Sequence, residues 1–202
     1  MSRDPWVVGT LRGVTPSSTP TADVSVRTAW PADADVLGGV QVRAWRASYA
    51  GLLPVEVLEG LDAVAIAEQW RRSMAKPADA RNRVLVALER ASVRGFAVTG
   101  PSPDPDAAPA SDGEVVELVV DPDHRGAGHG SRLVQACADT LRADRFTHAR
   151  VWVASTDDAL REFLTAAGWA PDGAHRELDL HGDGTVSVTQ VRLHTDLREP
   201  DA

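Results

Sequence analysis

Residues 115–133 read VVELVVDPDHRGAGHGSRL. The valine-rich run up to Val120 has the composition of a strand, and Asp121-Pro122 ends it, because proline has no N–H for the ladder. A polar turn leads to Arg125-Gly126-Ala127-Gly128-His129-Gly130, after which apolar residues recur at helical spacing. The stretch therefore predicts a strand, a glycine-rich turn and a helix start. The first amides of a helix lack intrahelical acceptors and carry partial positive charge, so such a junction attracts anions. Glycines let a phosphate approach the main chain with no Cβ in its path. A phosphorylated ligand is expected here.

Spacing separates three kinds of phosphate loop. A Walker-type loop ends in Gly-Lys-Ser/Thr, but Gly130 is followed by Ser131 and Arg132, and the single lysine is Lys76. A dinucleotide fingerprint needs G-x-G-x-x-G. Counted from Gly126 or Gly128, its last glycine falls on Ser131 or Leu133. The remaining pattern, R/Q-x-x-G-x-G/A, is met by Arg125, Gly128 and Gly130.

With the preceding Leu118-Val119-Val120-Asp121-Pro122 and the amphipathic helix after it, DPDHRGAGHGSRLV resembles the acetyl-CoA-binding motif of the GNAT superfamily of N-acetyltransferases. The resemblance covers about residues 24–195. It implies a GNAT-like α/β fold, a mixed central sheet of about seven strands flanked by about four helices. It also implies acetyl-CoA as co-substrate, with the acetyl group moving from the thioester to a primary amine by direct attack. The pyrophosphate would lie on the amides of Gly126, Ala127, Gly128, His129, Gly130 and Ser131, with Arg125 and Arg132 as charge partners. The pantetheine arm would pair with the backbone of Leu118, Val119 and Val120 where neighbouring strands splay.

Elsewhere the chain alternates helical and strand signals. Residues 1–22, rich in Ser, Thr, Pro and Gly, read as a flexible tail. Residues 23–196 read as one domain, and 197–202 as a short C-terminal tail. Val24–Arg27 alternates as a strand, and Trp30-Pro31-Ala32-Asp33 starts a helix that Gly51 stops. Pro54 opens a second helical stretch, and Ala63–Met74 a further amphipathic one. Arg83–Leu88 and Gly95–Thr99 predict a strand pair, and Gly100–Gly113 a mobile loop too polar for the core. After the strand Glu114–Val120 and the helix Gly128–Ala143 come a strand at Ala149–Val153 and a helix at Asp157–Ala167. Two closing strands are expected at Arg176–Leu180 and Val186–His194, around Gly182-Asp183-Gly184. The order is β-α-α-β-β-β-α-β-α-β-β, which agrees with that of the GNAT fold.

Length and composition bound the partners. A chain of 202 residues suffices for one well-buried domain. A net charge of −8 argues against a nucleic-acid backbone as partner and suits a cationic amine acceptor, a small molecule or a protein amine. Cys137 is the only cysteine, on the apolar side of its helix, and reads as a buried structural thiol. The first residues lack a continuous apolar run, and no later run would span a bilayer, so a cytoplasmic protein off the membrane is expected. The six histidines show no ligand spacing, and no metal site is expected. His124 and His129 read as exposed loop residues. A homodimer is compatible, since dimers are frequent among similar proteins.

Acetyl transfer needs a neutral amine, donors for the carbonyl oxygen and a stabilised thiolate. Glu117 is the candidate base: a carboxylate buried at a cleft is raised toward neutral pKa. It reads equally as a solvated residue on a polar face. Glu114 is a second candidate. Tyr49, the only tyrosine, is a candidate cleft wall or acid, while Trp45 and Trp169 read as packing residues. Two positions depart from the family pattern. Where many members have the tyrosine that protonates the thiolate, this chain has Leu164; where a cofactor-contacting asparagine is common, it has Asp157, which also suits a helix cap. These departures motivate the alternative of a degenerate acyl-CoA-binding or sensor module. Transfer of a longer acyl group would need only a different thioester pocket.

Overall fold

The computed structural model describes residues 24–179 and 187–198. Strand β1 (Val24–Thr28) leads through a turn at Pro31–Asp33 into α1 (Ala34–Ser48), α2 (Val55–Glu59) and α3 (Ala63–Ala75). There follow β2 (Arg83–Glu89), β3 (Ser92–Pro101), β4 (Asp112–Val120), α4 (His129–Ala143) and β5 (His148–Ala154). The described chain ends with α5 (Asp158–Ala166), β6 (Ala170–Asp179) and β7 (Ser187–Asp196). The seven strands form one sheet in the order β1-β2-β3-β4-β5-β7-β6. Neighbours are antiparallel except β4 and β5, which run parallel with α4 as their crossover. Among the described residues no helix is long and apolar enough to cross a membrane.

Each face of the sheet buries one helix layer. On one side Leu37, Val40 and Ala44 of α1 pack against Val86, Phe96 and Val119. On the other, Leu133, Cys137 and Leu141 of α4 and Leu164 of α5 pack against Leu85, Ala97, Val115 and Val151. The i, i+4, i+8 spacing of Leu133, Cys137 and Leu141 keeps one stripe inward, and each fully buried leucine contributes about 1.5–3 kcal/mol. Because β4 alternates, Val119 faces α1, whereas Leu118 and Val120 face α4. The central strand thus carries side chains into both layers.

Several boundaries differ from expectation. The described residues hold five α-helices, in keeping with about four around a seven-strand sheet, and the shortest, α2, has five residues. β6 begins at Ala170, six residues before the expected Arg176; a bulge between Pro171 and His175, with Gly173 at φ +86°, hides its alternation. The 100–113 connection, expected to be too polar for the core, is partly buried, with Ser102, Asp104 and Asp112 each under a tenth exposed. Guanidiniums explain it. Arg192 donates to Asp104 at 3.0 Å and to Asp106 at 2.7 Å, Arg150 to Asp106 and Asp112, and the Trp152 indole to Asp104 at 3.1 Å. Buried carboxylates persist when paired in this way. The predicted tail over residues 1–22, the closing turn at Gly182–Gly184 and the end of the C-terminal tail lie outside the described residues.

Candidate active site

The glycine turn takes the form expected of it. Asp121 is 3% exposed and starts the turn at Pro122–His124, accepting from the Asp123 amide at 3.3 Å. Gly126 and Gly128 have φ of +78° and +81°, the left-handed region that favours glycine. Gly128 caps α4, and Arg132 donates its amide to the Gly128 carbonyl at 3.2 Å. The amides of His129, Gly130 and Ser131 precede that bond, so they have no intrahelical acceptor. Arg125 is exposed beside them, and Arg132 folds back to donate from its guanidinium to the Gly128 carbonyl at 3.1 Å.

β4 parts from β5 just before this turn. Its ladder with β5 runs only from Asp112 to Val115, opposite His148–Val151. On its other edge the register with β3 shifts, Glu117 facing Val98 and Val115 facing Thr99, which leaves Val116 bulged and 57% exposed. A bulge bends its strand and increases local twist. From Val116 to Val120 the edge of β4 toward β5 therefore carries main-chain groups outside the β4–β5 ladder. The predicted Leu118, Val119 and Val120 all lie in that segment.

Glu117 lies half-buried on the α1 side of the same segment. Burial raises its carboxyl to about 7, against the opposing effect of the Trp45 indole, which favours the charged form. Gln41 Nε2 donates to Glu117 Oε1 at 3.4 Å, and Gln41 Oε1 accepts from Trp70 Nε1 at 2.8 Å. Tyr49, the residue that caps α1, is half-buried and stands edge-on to Trp45 with ring centroids 6.2 Å apart. Burial, then the charge of Glu117, raises its phenol, so it stays protonated. The structure brings Glu117, Tyr49 and Trp45 together, so Trp45 bears on Glu117 as well as on packing. Glu114 is placed differently. It is 3% exposed, raised mainly by burial, and held by the Ser102 hydroxyl at 2.9 Å beneath the 102–112 connection.

Other predicted residues are redistributed. His129 is not an exposed loop residue but 1% exposed, with neither ring nitrogen hydrogen-bonded among the described residues. It extends the Leu133, Cys137, Leu141 stripe by one turn, and burial holds its ring below the ordinary histidine range. His124 is half-buried and its Nε2 lies 2.8 Å from an Arg94 nitrogen. Asp157 caps α5, accepting from the Leu160 amide at 3.0 Å. Leu164 and Trp169 are core, and Cys137 is wholly buried with its thiol pushed up to about 12. Gln41 and Trp70 had no role in the sequence reading beyond their helices, whereas Arg43 opens the stretch 43–54, which resembles one that tends to line the acceptor side in bacterial GNAT proteins. Arg43 pairs with Asp121 at 2.6 Å and ties α1 to the glycine turn, while Gln41 and Trp70 bear on Glu117. Only Asp121, preceding a proline, carried a local capping signal.

Comparison with known proteins bears on family and fold. Residues 39–169 match the model of the acetyltransferase (GNAT) family. The Bacillus subtilis protein named Uncharacterized N-acetyltransferase YuaI is 29% identical over 131 residues, 64% of this chain and 71% of that one. Among solved structures, yncA from Salmonella typhimurium, which holds its cofactor acetyl-CoA, superposes with a TM-score of 0.65 at 18% identity. That match covers 90% of this chain and 98% of the other. PaiA N-acetyltransferase from Thermoplasma acidophilum, in complex with coenzyme A, gives a TM-score of 0.63 at 16% identity over 86% and 98% of the two chains. At these identities the structural likenesses establish the fold.

Proposed function

Since the chain belongs to the GNAT family of acetyltransferases, we propose that it moves an acetyl group from acetyl-CoA to a primary amine by direct attack. The observation that carries this reading is the coincidence, at one end of β4, of an opened strand edge, a desolvated carboxyl and an amide-rich helix start. The coenzyme A diphosphate lies on the amides of Gly126–Ser131, where the positive φ of Gly126 and Gly128 turns the backbone outward. Arg125 adds charge, and Asp157, which caps α5, contacts the cofactor only if its carboxylate serves both. The pantetheine arm pairs with the free edge of Leu118–Val120.

Glu117 accepts the proton of the incoming ammonium group, directly or through a water. With its carboxyl near 7 it is a stronger base than an ordinary glutamate yet is still substantially ionised at neutral pH. The neutral amine attacks the thioester carbonyl, whose oxygen is polarised by a β4 amide. The C–N bond forms, the C–S bond breaks, the thiolate leaves, and the attacking nitrogen sheds its second proton to water to give the neutral amide. Tyr49, still protonated at neutral pH, walls the cleft and protonates the departing thiolate, a role the aliphatic Leu164 cannot fill, and is itself reprotonated from water. The protein is read as a cytoplasmic acyltransferase of the class that moves groups other than aminoacyl groups.

Mixing protein, acetyl-CoA and a panel of amines, and titrating released thiol, tests this. Thiol release that requires one amine class is expected; none from any acceptor contradicts it. The second reading, an acyl-CoA-binding module without turnover, draws on Leu164 being sealed in the core, at the position where the family resemblance implies a proton-donating tyrosine. Tight acetyl-CoA binding by calorimetry with no turnover would favour it.

A further inference from the structure

Glu117 is reached by a chain of neutral groups from the α1 and α3 layer. Trp70 Nε1 donates to Gln41 Oε1 at 2.8 Å, and Gln41 Nε2 donates to Glu117 Oε1 at 3.4 Å. The two ends of a glutamine amide ordinarily look alike, and only their partners say which is which. Here the partner decides, because an indole N–H can donate and cannot accept. It holds the Gln41 carbonyl toward α3, which turns the NH2 toward β4. Gln41 is 7% exposed, so water offers the amide little alternative. Turning it over would set two donors against each other at Trp70 and aim a carbonyl at the carboxylate. Trp70 is itself fixed, edge-on to Phe96 with centroids 5.2 Å apart.

We propose that Gln41 is a positioning residue for Glu117, oriented by Trp70, which orders one carboxylate oxygen and favours the ionised, proton-accepting form. This rests on Glu117 being the base. It explains why a polar amide is kept in the α1 layer between Val40 and Ala44, both of which are core. The groups facing Glu117 are otherwise Trp45, neutral, and Tyr49, protonated at neutral pH, both on or next to α1; its β3 partner is the apolar Val98. A donor removed from this set therefore registers in the carboxyl's own titration.

That titration is the test, and it needs no acceptor. Protein labelled with carbon-13 at glutamate Cδ is titrated by NMR, with Glu117→Gln to assign the signal. Native protein should show a midpoint near 7. Loss of a donor to the charged form should raise it by about 0.5–1 pH unit in Gln41→Met. Trp70→Phe keeps a ring against Phe96 but frees the amide to turn, and should shift the midpoint the same way. The double variant should match Gln41→Met alone, since Trp70 acts through Gln41. An unchanged midpoint in both single variants, or a Trp70→Phe shift that adds to that of Gln41→Met, overturns the proposal. Should Gln41→Met fail to fold, Trp70→Phe decides by itself. Turnover by Glu117→Gln is a separate readout: activity retained there would remove Glu117 as base without touching the titration result.

Discussion

Glu117 links ionisation, stability and rate in one side chain. If it takes the amine's proton, Glu117→Gln should lower kcat by about 10²–10⁴-fold, with little change in acetyl-CoA affinity by calorimetry. In the native enzyme kcat/KM should climb with pH through about 7, where the carboxyl ionises. The stability consequence has a definite sign. The folded-state value lies above the ordinary 4.5, so the group's contribution is fully present below about 4.5 and is lost as pH rises through 7. By pH 8 the native protein should have lost on the order of 2 kcal/mol relative to Glu117→Gln, a loss held down by partial solvent access. Urea unfolding of both proteins at pH 5 and pH 8 measures the difference; a constant gap would show that Glu117 is not desolvated. Sequence placed this carboxylate on the strand before the turn but left its burial open. The residues that donate to it, Trp45 and Gln41, lie more than 70 positions away, and no local pattern reports such a contact. His129 shows the opposite case, since its i+4 relation to Leu133 was visible and the glycines around it drew the reading to loop.

The junction between β4 and α4 was the most legible element, because its backbone takes conformations that only certain residues allow. Gly128 sits at φ +81°, and a Cβ there would lie 2.6 Å from the Arg132 guanidinium. Gly128→Val should cost about 1–2 kcal/mol in backbone strain and weaken acetyl-CoA binding at least about tenfold, as its branched side chain projects over the amides. Calorimetry reads the affinity, and thermal unfolding separates it from misfolding. The 102–112 connection was the least legible. Composition correctly called it polar, but a chain of aspartates does not announce that Arg150 and Arg192, on strands 40 to 90 residues later, will bury it. Arg192→Met leaves Asp104, Asp106 and Asp172 short of a partner that donates to all three. Asp104 keeps Trp152, Arg150 and Arg176 nearby, so the loss is only partly compensated and the melting temperature should fall. A melting temperature equal to that of the native protein would mean the clasp contributes nothing.

For the molecule as a whole, the order of elements was readable because hydrophobic period and punctuation agree along most of the chain, and the observed seven-stranded sheet follows it. What no period encodes is that β4 and β5 part after four paired positions. That parting leaves the Val116–Val120 edge of β4 outside the ladder, with Glu117 on the same segment and the first amides of α4 beyond its end. Arg43, paired with Asp121, then braces α1 against the turn, so both helix layers meet at the site. The most direct measurement is a crystal structure of the protein grown with coenzyme A. The diphosphate oxygens should lie within about 3.2 Å of main-chain nitrogens between Gly126 and Ser131, with the thiol pointing along Leu118–Val120. A diphosphate bound elsewhere, or a turn that stays closed to ligand at saturating coenzyme A, would contradict that placement.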